Sequence, residues 1–307
     1  MRTVARGRVA PDQPRPAWLP QGLYPFESRF IEIAGARVHY LDEGEGPPLL
    51  LLHGNPTWSF LYREIVAGLT DRFRCVAPDY PGFGLSEAPA GYGFRPAEHA
   101  AVIEQLVRKL KLRDATLMVQ DWGGPIGFAV ATRQPERFRR FVIANTMAWP
   151  KRDPAVRMFS WAAGSPLGGY LLRNRNLFVE AILPAAIRRG PLSPAVMAAY
   201  RGPFPTSASR RPLQVFPREI AASRDFLAAV EGGLPALRDR PALILWGTKD
   251  VAFGPRERKR FEREFPHHRT VLLEGAGHFI QEDAPDEVVR AIRQWSDDED
   301  ARELSAR

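Results

Sequence analysis

Val119-Gln120-Asp121-Trp122-Gly123-Gly124 is the most informative segment of the 307-residue chain. It follows an apolar segment typical of a strand, 115–119, and opens a helical segment over 126–131. A sharp strand-to-helix turn of this kind is a nucleophile elbow, which holds its central side chain above the carboxyl end of a parallel sheet. The tight turn needs small neighbours, and Gly123 meets that need, although Val119 stands where the motif usually has its first glycine. The segment therefore predicts that Asp121 is a nucleophile.

An aspartate at the centre of the elbow predicts a different reaction from a serine. A carboxylate is already ionised at neutral pH, so it attacks without the help of a base. Attack at a saturated carbon would give an alkyl ester of Asp121, which water must then hydrolyse at the carboxyl carbon. Such a site needs a base for the water, hydrogen-bond donors for the oxyanion and a means of stabilising the leaving group. Outside this context, an aspartate after a strand is usually a helix cap.

A candidate base and its partner follow later in the chain. His278, in Gly275-Ala276-Gly277-His278-Phe279, lies between the last predicted strand and the last predicted helix. Asp250 ends the preceding strand, which gives the order nucleophile, acid, histidine of α/β-hydrolases. The acid would orient the imidazole and stabilise its charged form. Two alternatives stay open: Asp250 could cap the next helix or pair with Lys249, and Asp153 is a competing acid after the strand at 140–144.

Alternating strand and helix patterns predict an α/β fold with a doubly wound, mostly parallel sheet. Leu49-Leu50-Leu51-Leu52 is a continuous apolar run, typical of a strand that is buried on both faces. The other predicted strands cover 30–33, 38–41, 75–77, 115–120, 140–144, 242–246 and 270–273. The predicted helices cover 60–70, 97–110, a segment from Gly123, 255–265 and 285–295.

This alternation stops between 147 and 235, which contains eleven of the 29 prolines and short apolar helical segments. We expect an inserted helical cap at 147–235 between the two parts of an α/β-hydrolase core, 21–146 and 236–297. The proline-rich residues 1–20 are expected to form a flexible or loosely docked arm. The acidic stretch from Ser296 leads to an expected frayed tail at 298–307.

Composition excludes several classes of protein. Hydrophobic residues make up 45% of the chain, which is too many for a disordered protein. No run of about 18 apolar residues predicts a membrane span, and no apolar segment after the basic N-terminus predicts a secretory signal. The single cysteine, Cys75, excludes an internal disulfide and a cysteine-based metal site. The basic residues are spread over the whole length of the chain, so we do not expect nucleic acid as a partner. The lack of a long apolar run predicts no membrane partner, and the single cysteine fits a reducing, cytoplasmic location.

Several motifs resemble those of the haloalkane dehalogenases of the α/β-hydrolase superfamily. The first block, His53-Gly54-Asn55-Pro56-Thr57-Trp58-Ser59, is the most discriminating. The others are Tyr24-Pro25-Phe26-Glu27-Ser28, Asp79-Tyr80-Pro81-Gly82-Phe83-Gly84-Leu85-Ser86, Gln120-Asp121-Trp122-Gly123-Gly124-Pro125 and Gly277-His278-Phe279-Ile280-Gln281-Glu282. The resemblance covers about residues 22–295 and is weakest in the predicted cap.

The resemblance implies a reaction and a role for each matching residue. The reaction is hydrolysis of a haloalkane to alcohol, halide and proton through an ester of Asp121, with Asp250 and His278 completing the triad. The Asn55 amide and the Trp122 indole would hold the halide, and the backbone N–H groups of these two residues would form the oxyanion hole. A departing halide needs donors in a dry site but no proton, and neutral Asn and Trp donors fit this need.

The combination of Asn55, Trp122 and Asp250 resembles the third subfamily of these enzymes, whose large assemblies leave a homo-oligomer open. No cofactor or metal is implied, so the expected partners are a small halogenated substrate and water. The tryptophans of the predicted cap, Trp149 and Trp161, are expected to pack or to line the pocket.

Two other functions also fit part of this pattern. An epoxide hydrolase would use the same aspartate and would need proton donors from the cap, where Tyr170 and Tyr200 are available. Asn55 argues against this function, because epoxide hydrolases tend to carry an aromatic residue there. A non-catalytic ligand-binding α/β-hydrolase is the second alternative, and the intact set of nucleophile, acid and base argues against it.

The remaining histidines have predicted structural roles. We expect His53 to stabilise the turn in which it lies. His39, His99, His267 and His268 are expected at the surface or as caps. Cys75 is expected to be an inert apolar residue of a core strand.

Overall fold

The computed structural model describes residues 15–305. Its centre is a single eight-stranded sheet. The strands are β1 (Arg29–Ile33), β2 (Ala36–Glu43), β3 (Pro48–Leu52), β4 (Arg74–Pro78), β5 (Ala115–Asp121), β6 (Phe138–Thr146), β7 (Ala242–Gly247) and β8 (His268–Leu273). Each predicted strand is therefore present, extended by a few residues at one or both ends.

The strand order is β1-β2-β4-β3-β5-β6-β7-β8. β2 pairs antiparallel with β1 and β4, and all pairs from β4 to β8 are parallel. Leu49–Leu52 of β3 are fully buried, as expected for a strand covered by helices on both faces. This mostly parallel sheet confirms the predicted fold class, and it brings the carboxyl ends of β3, β5, β6 and β7 to one edge.

Helices cover the sheet and form a separate layer above that edge. The core helices are α1 (Arg63–Ala67), α2 (Pro96–Lys109), α3 (Gly123–Arg133), α10 (Pro255–Glu264), α11 (Ile280–Asp283) and α12 (Pro285–Ser305). Between β6 and β7 lie α4 (Pro154–Gly164), α5 (Pro166–Asn174), α6 (Leu183–Ala186), α7 (Pro194–Arg201), α8 (Arg211–Ala222) and α9 (Arg224–Gly233). One prediction is wrong in detail: 60–70 is a 3-10 turn, Ser59–Tyr62, followed by the short α1.

The helices α4 to α9 fill the stretch predicted as a cap. α4 packs against α8, where the Ser160 hydroxyl donates to the Arg218 carbonyl oxygen at 3.0 Å and accepts from the Ala221 N–H at 3.2 Å. Proline occupies the first turn of α4, α5, α6, α7 and α8, where its missing N–H costs no helical hydrogen bond. The prolines that interrupt the strand pattern thus start short helices. The boundaries of the cap at 147 and 235 stay predictions.

The C-terminal region differs from its expectation. The expected frayed tail at 298–307 is wrong for its described part, because α12 continues to Ser305. Glu299 is buried, and basic residues of β6 and β8 pair with the acidic ones: Arg140 lies 2.8 Å from Asp300, and Arg269 lies 3.0 Å from Asp298. The acidic run is therefore part of a helix neutralised by the sheet's arginines.

The expected arm at 1–20 can be assessed only from Arg15, because residues 1–14 lie outside the described part. Arg15 donates to the carbonyl oxygens of Tyr24 and Phe26, at 2.6 and 3.1 Å. Leu19 is buried, and Trp18 packs against Trp58. The described end of the arm is therefore docked on the core.

Two features are absent from residues 15–305. No helix there is long and apolar enough to cross a membrane. No cluster of three or more histidine, cysteine, aspartate or glutamate residues with metal-binding geometry occurs in the same range.

Candidate active site

Asp121 lies at the end of β5 in a strained turn, as the elbow predicts. Its φ is +51°, in the left-handed region that non-glycine residues rarely adopt. Neighbouring glycines leave room for the turn. A Cβ on Gly123 would lie 2.1 Å from the Leu52 carbonyl oxygen, and one on Gly54 would lie 2.3 Å from the Asp121 Cβ. The β3 and β5 turns therefore meet so closely that only glycine fits at both positions.

The two carboxylate oxygens of Asp121 have different surroundings. Oδ1 accepts a 2.8 Å hydrogen bond from the Asn55 backbone N–H. Oδ2 lies 3.6 Å from His278 Nε2, beyond hydrogen-bond distance. The Thr146 hydroxyl at the end of β6 donates to the Asp121 carbonyl oxygen and fixes the backbone of the turn. The geometry thus anchors one oxygen and leaves the other free to react.

His278 lies between Asp121 and Asp250. Its Nδ1 lies 3.0 Å from Asp250 Oδ2, and the Asp250 side chain is fully buried. Asp250 also accepts from the Ala252 N–H at 2.7 Å and from the Asn145 side-chain amide at 2.5 Å. The competing acid, Asp153, instead accepts from the Ala155 N–H at the start of α4. Of the two candidate acids, the structure brings only Asp250 to the histidine.

The charges of these three groups influence one another. Burial raises the pKa of Asp121, and the opposing effects of His278 and the backbone N–H groups of Asn55 and Trp122 do not cancel this rise. Burial also disfavours the ionised form of Asp250, but the His278 charge and the hydrogen bonds hold its pKa below the usual value. Burial lowers the pKa of His278, and the carboxylates of Asp250 and Asp121 outweigh it, so the net pKa is raised. The imidazole is therefore a stronger base than a free histidine.

A cavity of about 590 Å³ opens above Asp121. Most of its lining is apolar and comes from the cap and from the loop after β7, including Val156, Phe159, Phe178, Ile220, Val251 and Phe253. Asn55, Asp121, Trp122 and His278 form a polar part of the lining, which we call the cavity floor, and the charged residues Lys151 and Arg188 also line the cavity. An apolar cavity with a few convergent polar groups is the usual form of a small-molecule site.

Asn55 and Trp122 line the cavity together with Asp121. Their side chains are 6% and 4% exposed, so little water competes with a ligand there. Within residues 15–305, neither the Asn55 amide nitrogen nor the Trp122 indole nitrogen has a protein acceptor. Two neutral donors are thus available where a leaving anion would form.

The tyrosines and tryptophans of the cap lie away from this floor. Tyr170 is half exposed on α5, and the buried Tyr200 hydroxyl donates to Glu282; in the described chain neither residue lines the cavity. Trp149 packs against Phe261, as expected for a packing role. Trp161 neither packs nor lines the cavity within residues 15–305, because its side chain is 75% exposed on α4.

Comparisons with known proteins agree with this geometry. The sequence profile of the alpha/beta hydrolase fold family matches residues 47–285. A relative from Mycobacterium tuberculosis, Haloalkane dehalogenase 2, is 51% identical over 272 residues, which cover 88% of this chain and 95% of the relative. The chain belongs to the haloalkane dehalogenase family.

Two further proteins are similar to this member of the dehalogenase family. The crystal structure of haloalkane dehalogenase DbeA from Bradyrhizobium elkani superposes with a TM-score of 0.83 at 30% identity, covering 90% of this chain and 99% of that one. A cis-3-alkyl-4-alkyloxetan-2-one decarboxylase from Shewanella oneidensis is 34% identical and is covered to 89%, as is this chain. The hydrolase fold and the enzymatic character of the chain follow from its family.

Sequence reasoning missed two residues of this family member's site. Asn145, with φ +35°, is the penultimate residue of β6. Its Nδ2 donates to Asp250, and its Oδ1 accepts from the Gly247 N–H at 2.9 Å. Gln120 is fully buried, and its Nε2 lies 3.0 Å from His278 Nε2. Both residues follow apolar strand residues, and this position is the only signal in the sequence that could have identified them as site residues.

The histidine predictions have mixed outcomes. His53 is structural, as predicted: its Nδ1 lies 2.9 Å from the Gly54 carbonyl oxygen and its Nε2 accepts from the Tyr80 N–H, while burial lowers its pKa to about 4. The expected surface positions are wrong for His39 and His99, which are both fully buried. His39 Nδ1 lies 2.8 Å from Asp79 Oδ2, so a carboxylate compensates for its burial.

Proposed function

We propose that the enzyme hydrolyses haloalkanes through a covalent ester of Asp121. The observation that carries this proposal is that Asp121 lines a mostly apolar cavity together with Asn55 and Trp122, two neutral donors whose side-chain nitrogens have no protein acceptor in residues 15–305. Asp121 Oδ2 attacks the carbon that bears the halogen and forms a C–O bond as the C–X bond breaks. The electron pair of that bond leaves with the halide, which the amide and the indole N–H groups stabilise.

His278 and Asp250 act in the second step. His278 takes a proton from a water molecule, which attacks the Asp121 carboxyl carbon. The negative charge that develops on Oδ1 is stabilised by the Asn55 and Trp122 backbone N–H groups, and Asp250 stabilises the charged imidazole. The ester C–O bond then breaks, the alcohol takes the proton from His278, and one oxygen of the regenerated carboxylate comes from water. The net products are alcohol, halide and a proton.

The placement of the cap tyrosines favours this reaction over epoxide hydrolysis. An epoxide oxygen leaves as an alkoxide that needs a proton donor, and in the described chain neither Tyr170 nor Tyr200 lines the cavity. A halide, by contrast, leaves without a proton. The donors at the cavity floor therefore match a halide better than an alkoxide.

Halide and proton release from 1-bromobutane and 1,2-dibromoethane, measured beside diol formation from styrene oxide, tests the proposal. We expect turnover of the haloalkanes and none of the epoxide. Asp121→Asn should abolish turnover, while Asp153→Asn, which can still cap α4, should leave it unchanged. Diol formation without halide release would support the epoxide hydrolase instead, and ligand binding without any turnover would support a non-catalytic protein.

The covalent step has its own test. His278→Phe removes the base but leaves the nucleophile, so incubation with 1-bromobutane should add one butyl group in place of a proton. Intact-mass measurement and peptide mapping should locate that group on Asp121. In single-turnover experiments, wild-type enzyme in ¹⁸O-labelled water should acquire one labelled oxygen on the same residue. An unlabelled Asp121 after turnover would rule out the ester pathway.

A further inference from the structure

The outward face of α4 is apolar and exposed. The helix sequence is Pro154-Ala155-Val156-Arg157-Met158-Phe159-Ser160-Trp161-Ala162-Ala163-Gly164, with a single charged residue. The side chains of Met158, Phe159 and Trp161 are 66%, 44% and 75% exposed. On the adjacent α5, Leu167 and Tyr170 are 68% and 50% exposed. We call these five side chains the α4–α5 surface.

Helix geometry shows that this exposure is not scattered. At 3.6 residues per turn, the exposed apolar residues of α4 cover an arc of about 160° without a polar interruption. That arc contains Pro154, Ala155, Met158, Phe159, Trp161 and Ala162. The two buried residues, Ser160 and Ala163, point towards the opposite side, where Ser160 contacts α8. A surface helix normally turns its apolar face to the core, so an exposed one marks an interaction site.

Positive charge surrounds this surface. The cap, 147–235, contains twelve arginine and lysine residues against five acidic ones, so it carries +7 of the net charge of +8. The segment 151–175 contains five arginine and lysine residues and one acidic residue. Its acidic residue, Asp153, is engaged as the cap of α4. Arg152 and Arg157 are exposed, and their side chains have no hydrogen-bond or ion-pair partner within residues 15–305.

The charge decides between two occupants of the α4–α5 surface. A second copy docked about a two-fold axis would place each patch against itself, because such an interface uses the same surface on both subunits. The basic residues of the two copies would then repel each other. An anionic bilayer instead offers an apolar interior to methionine, leucine and aromatic side chains, and phosphate groups to arginine. A basic helix with tryptophan on its apolar face is typical of peripheral membrane binding.

We propose that the α4–α5 surface docks on an anionic lipid bilayer, with α4 lying in the plane of the interface. This is a peripheral contact, distinct from the spanning segment excluded above. The sequence alone led us to expect no membrane partner, because no run of about 18 apolar residues is present; a spanning helix needs such a run, but a peripheral contact does not.

The docked surface leads into the cavity. Ala155 and Phe159 belong to the apolar arc and also line the cavity that contains Asp121. Val251, which is 79% exposed, lies at the same cavity from the loop after β7. An apolar molecule dissolved in the bilayer would reach the nucleophile without crossing water. This part of the inference rests on the proposed dehalogenase function, since it makes membrane-partitioned haloalkanes the substrate class.

Vesicle sedimentation without substrate tests the docking itself. We expect the full-length enzyme to sediment with vesicles of phosphatidylcholine and phosphatidylglycerol and to be released by high salt, because binding to anionic lipid is screened. Vesicles of phosphatidylcholine alone should bind at least tenfold less enzyme. The double variant Met158→Gln/Trp161→Gln and the single variant Arg157→Glu should each lower partitioning at least tenfold. Leu304→Gln, which alters a 72% exposed residue of α12, is the matched control and should bind as the wild type does.

Fluorescence gives a local readout of the same contact. Five of the seven tryptophans, Trp58, Trp122, Trp149, Trp246 and Trp295, are buried, whereas Trp161 is exposed. Anionic vesicles should therefore shift the emission to the blue and protect it from acrylamide, and Trp161→Phe should remove most of both effects. Unchanged thermal unfolding midpoints would establish that the variants are folded.

Three outcomes would overturn the docking proposal. The first is a wild-type enzyme that does not sediment with anionic vesicles. The second is vesicle binding that the α4 variants leave unchanged. The third is self-association in sedimentation velocity that the double variant abolishes, which would assign the surface to a second copy. Halide release from water-dissolved 1-bromobutane needs no vesicle, so failure of the docking and failure of the proposed function are separable.

Discussion

Asp250→Asn is the sharpest test of how the site divides its two steps. Three donors surround the Asp250 carboxylate: the Ala252 N–H at 2.7 Å, the Asn145 amide at 2.5 Å and the His278 imidazole at 3.0 Å. An amide of the same shape cannot accept from all three, because its NH₂ group must face one of these donors. If it faces the imidazole, His278 carries its proton on Nε2 and cannot take one from water.

The expected loss is large and confined to one step. Turnover should fall about 10⁴-fold, which corresponds to about 5.5 kcal/mol of transition-state stabilisation. The attack of Asp121 needs no base, so its rate should change by no more than a few-fold. The first turnover should then release one equivalent of halide per active site before a slow steady state, and the butyl ester should accumulate.

Rapid-quench halide measurement with 1-bromobutane resolves the two phases, and intact-mass measurement of the quenched enzyme gives the ester fraction. Asp153→Asn is the matched control, since it makes the same chemical change at the competing acid. We expect wild-type kinetics from that variant. Steady-state turnover of Asp250→Asn within tenfold of the wild type, or a first turnover slowed as much as the later ones, would refute the division of roles.

Three further predictions use other contacts of the site. Trp122→Phe removes the indole N–H proposed to bind the halide, so kcat for halide release should fall about 10²-fold or more. Bromide should also no longer quench tryptophan fluorescence, and unchanged quenching would place the halide elsewhere. Gly54→Ala puts a Cβ 2.3 Å from the Cβ of Asp121 and should abolish halide release. Gly22→Ala, whose Cβ would have no atom within 4 Å, should keep it. An active Gly54 variant would contradict the close approach of the two turns. The pKa of His278 is raised, so its neutral form is lost as the pH falls through that value. Steady-state turnover should therefore begin to decline at a pH above the usual 6.5, and the ester fraction found after acid quenching should rise. An ester fraction that falls on acidification would assign the loss of turnover to another group.

The sheet and the meeting of Asp121, Asp250 and His278 could be predicted because each depends on local sequence. A run such as Leu49–Leu52 is apolar at every position, and this pattern has few other uses than a strand buried on both faces. The parallel sheet then places the three strand ends at one edge, so their chain order is enough to predict proximity. The left-handed φ of Asp121 follows from the same turn.

The missed features depend on packing between distant segments. Asn145 and Gln120 gain their roles only because β6 and β5 place them beside Asp250 and His278. The acidic run of α12 resembled a frayed end because its partners lie on distant strands: Arg140 is 160 residues before Asp300, and Arg269 is 29 residues before Asp298. The apolar face of α4 has the periodicity of a core helix, and only the position of the cap shows that this face points outward.

One arrangement would serve both proposed steps because the two oxygen positions of the Asp121 carboxylate would keep separate roles. Oδ1 accepts from the Asn55 N–H while the carboxylate is free, and it would keep that donor when it becomes the oxyanion of the ester's hydrolysis. Oδ2, at 3.6 Å from His278 Nε2, is close enough for the imidazole to favour its charge but too far for a hydrogen bond that would blunt its attack. Burial raises the pKa of this carboxyl group because it lacks water, and a poorly hydrated carboxylate has less solvation to lose as it attacks carbon. In both proposals the helices that cover this carboxylate would also bring the apolar substrate to the same oxygen, so shielding and substrate access would have a single structural cause.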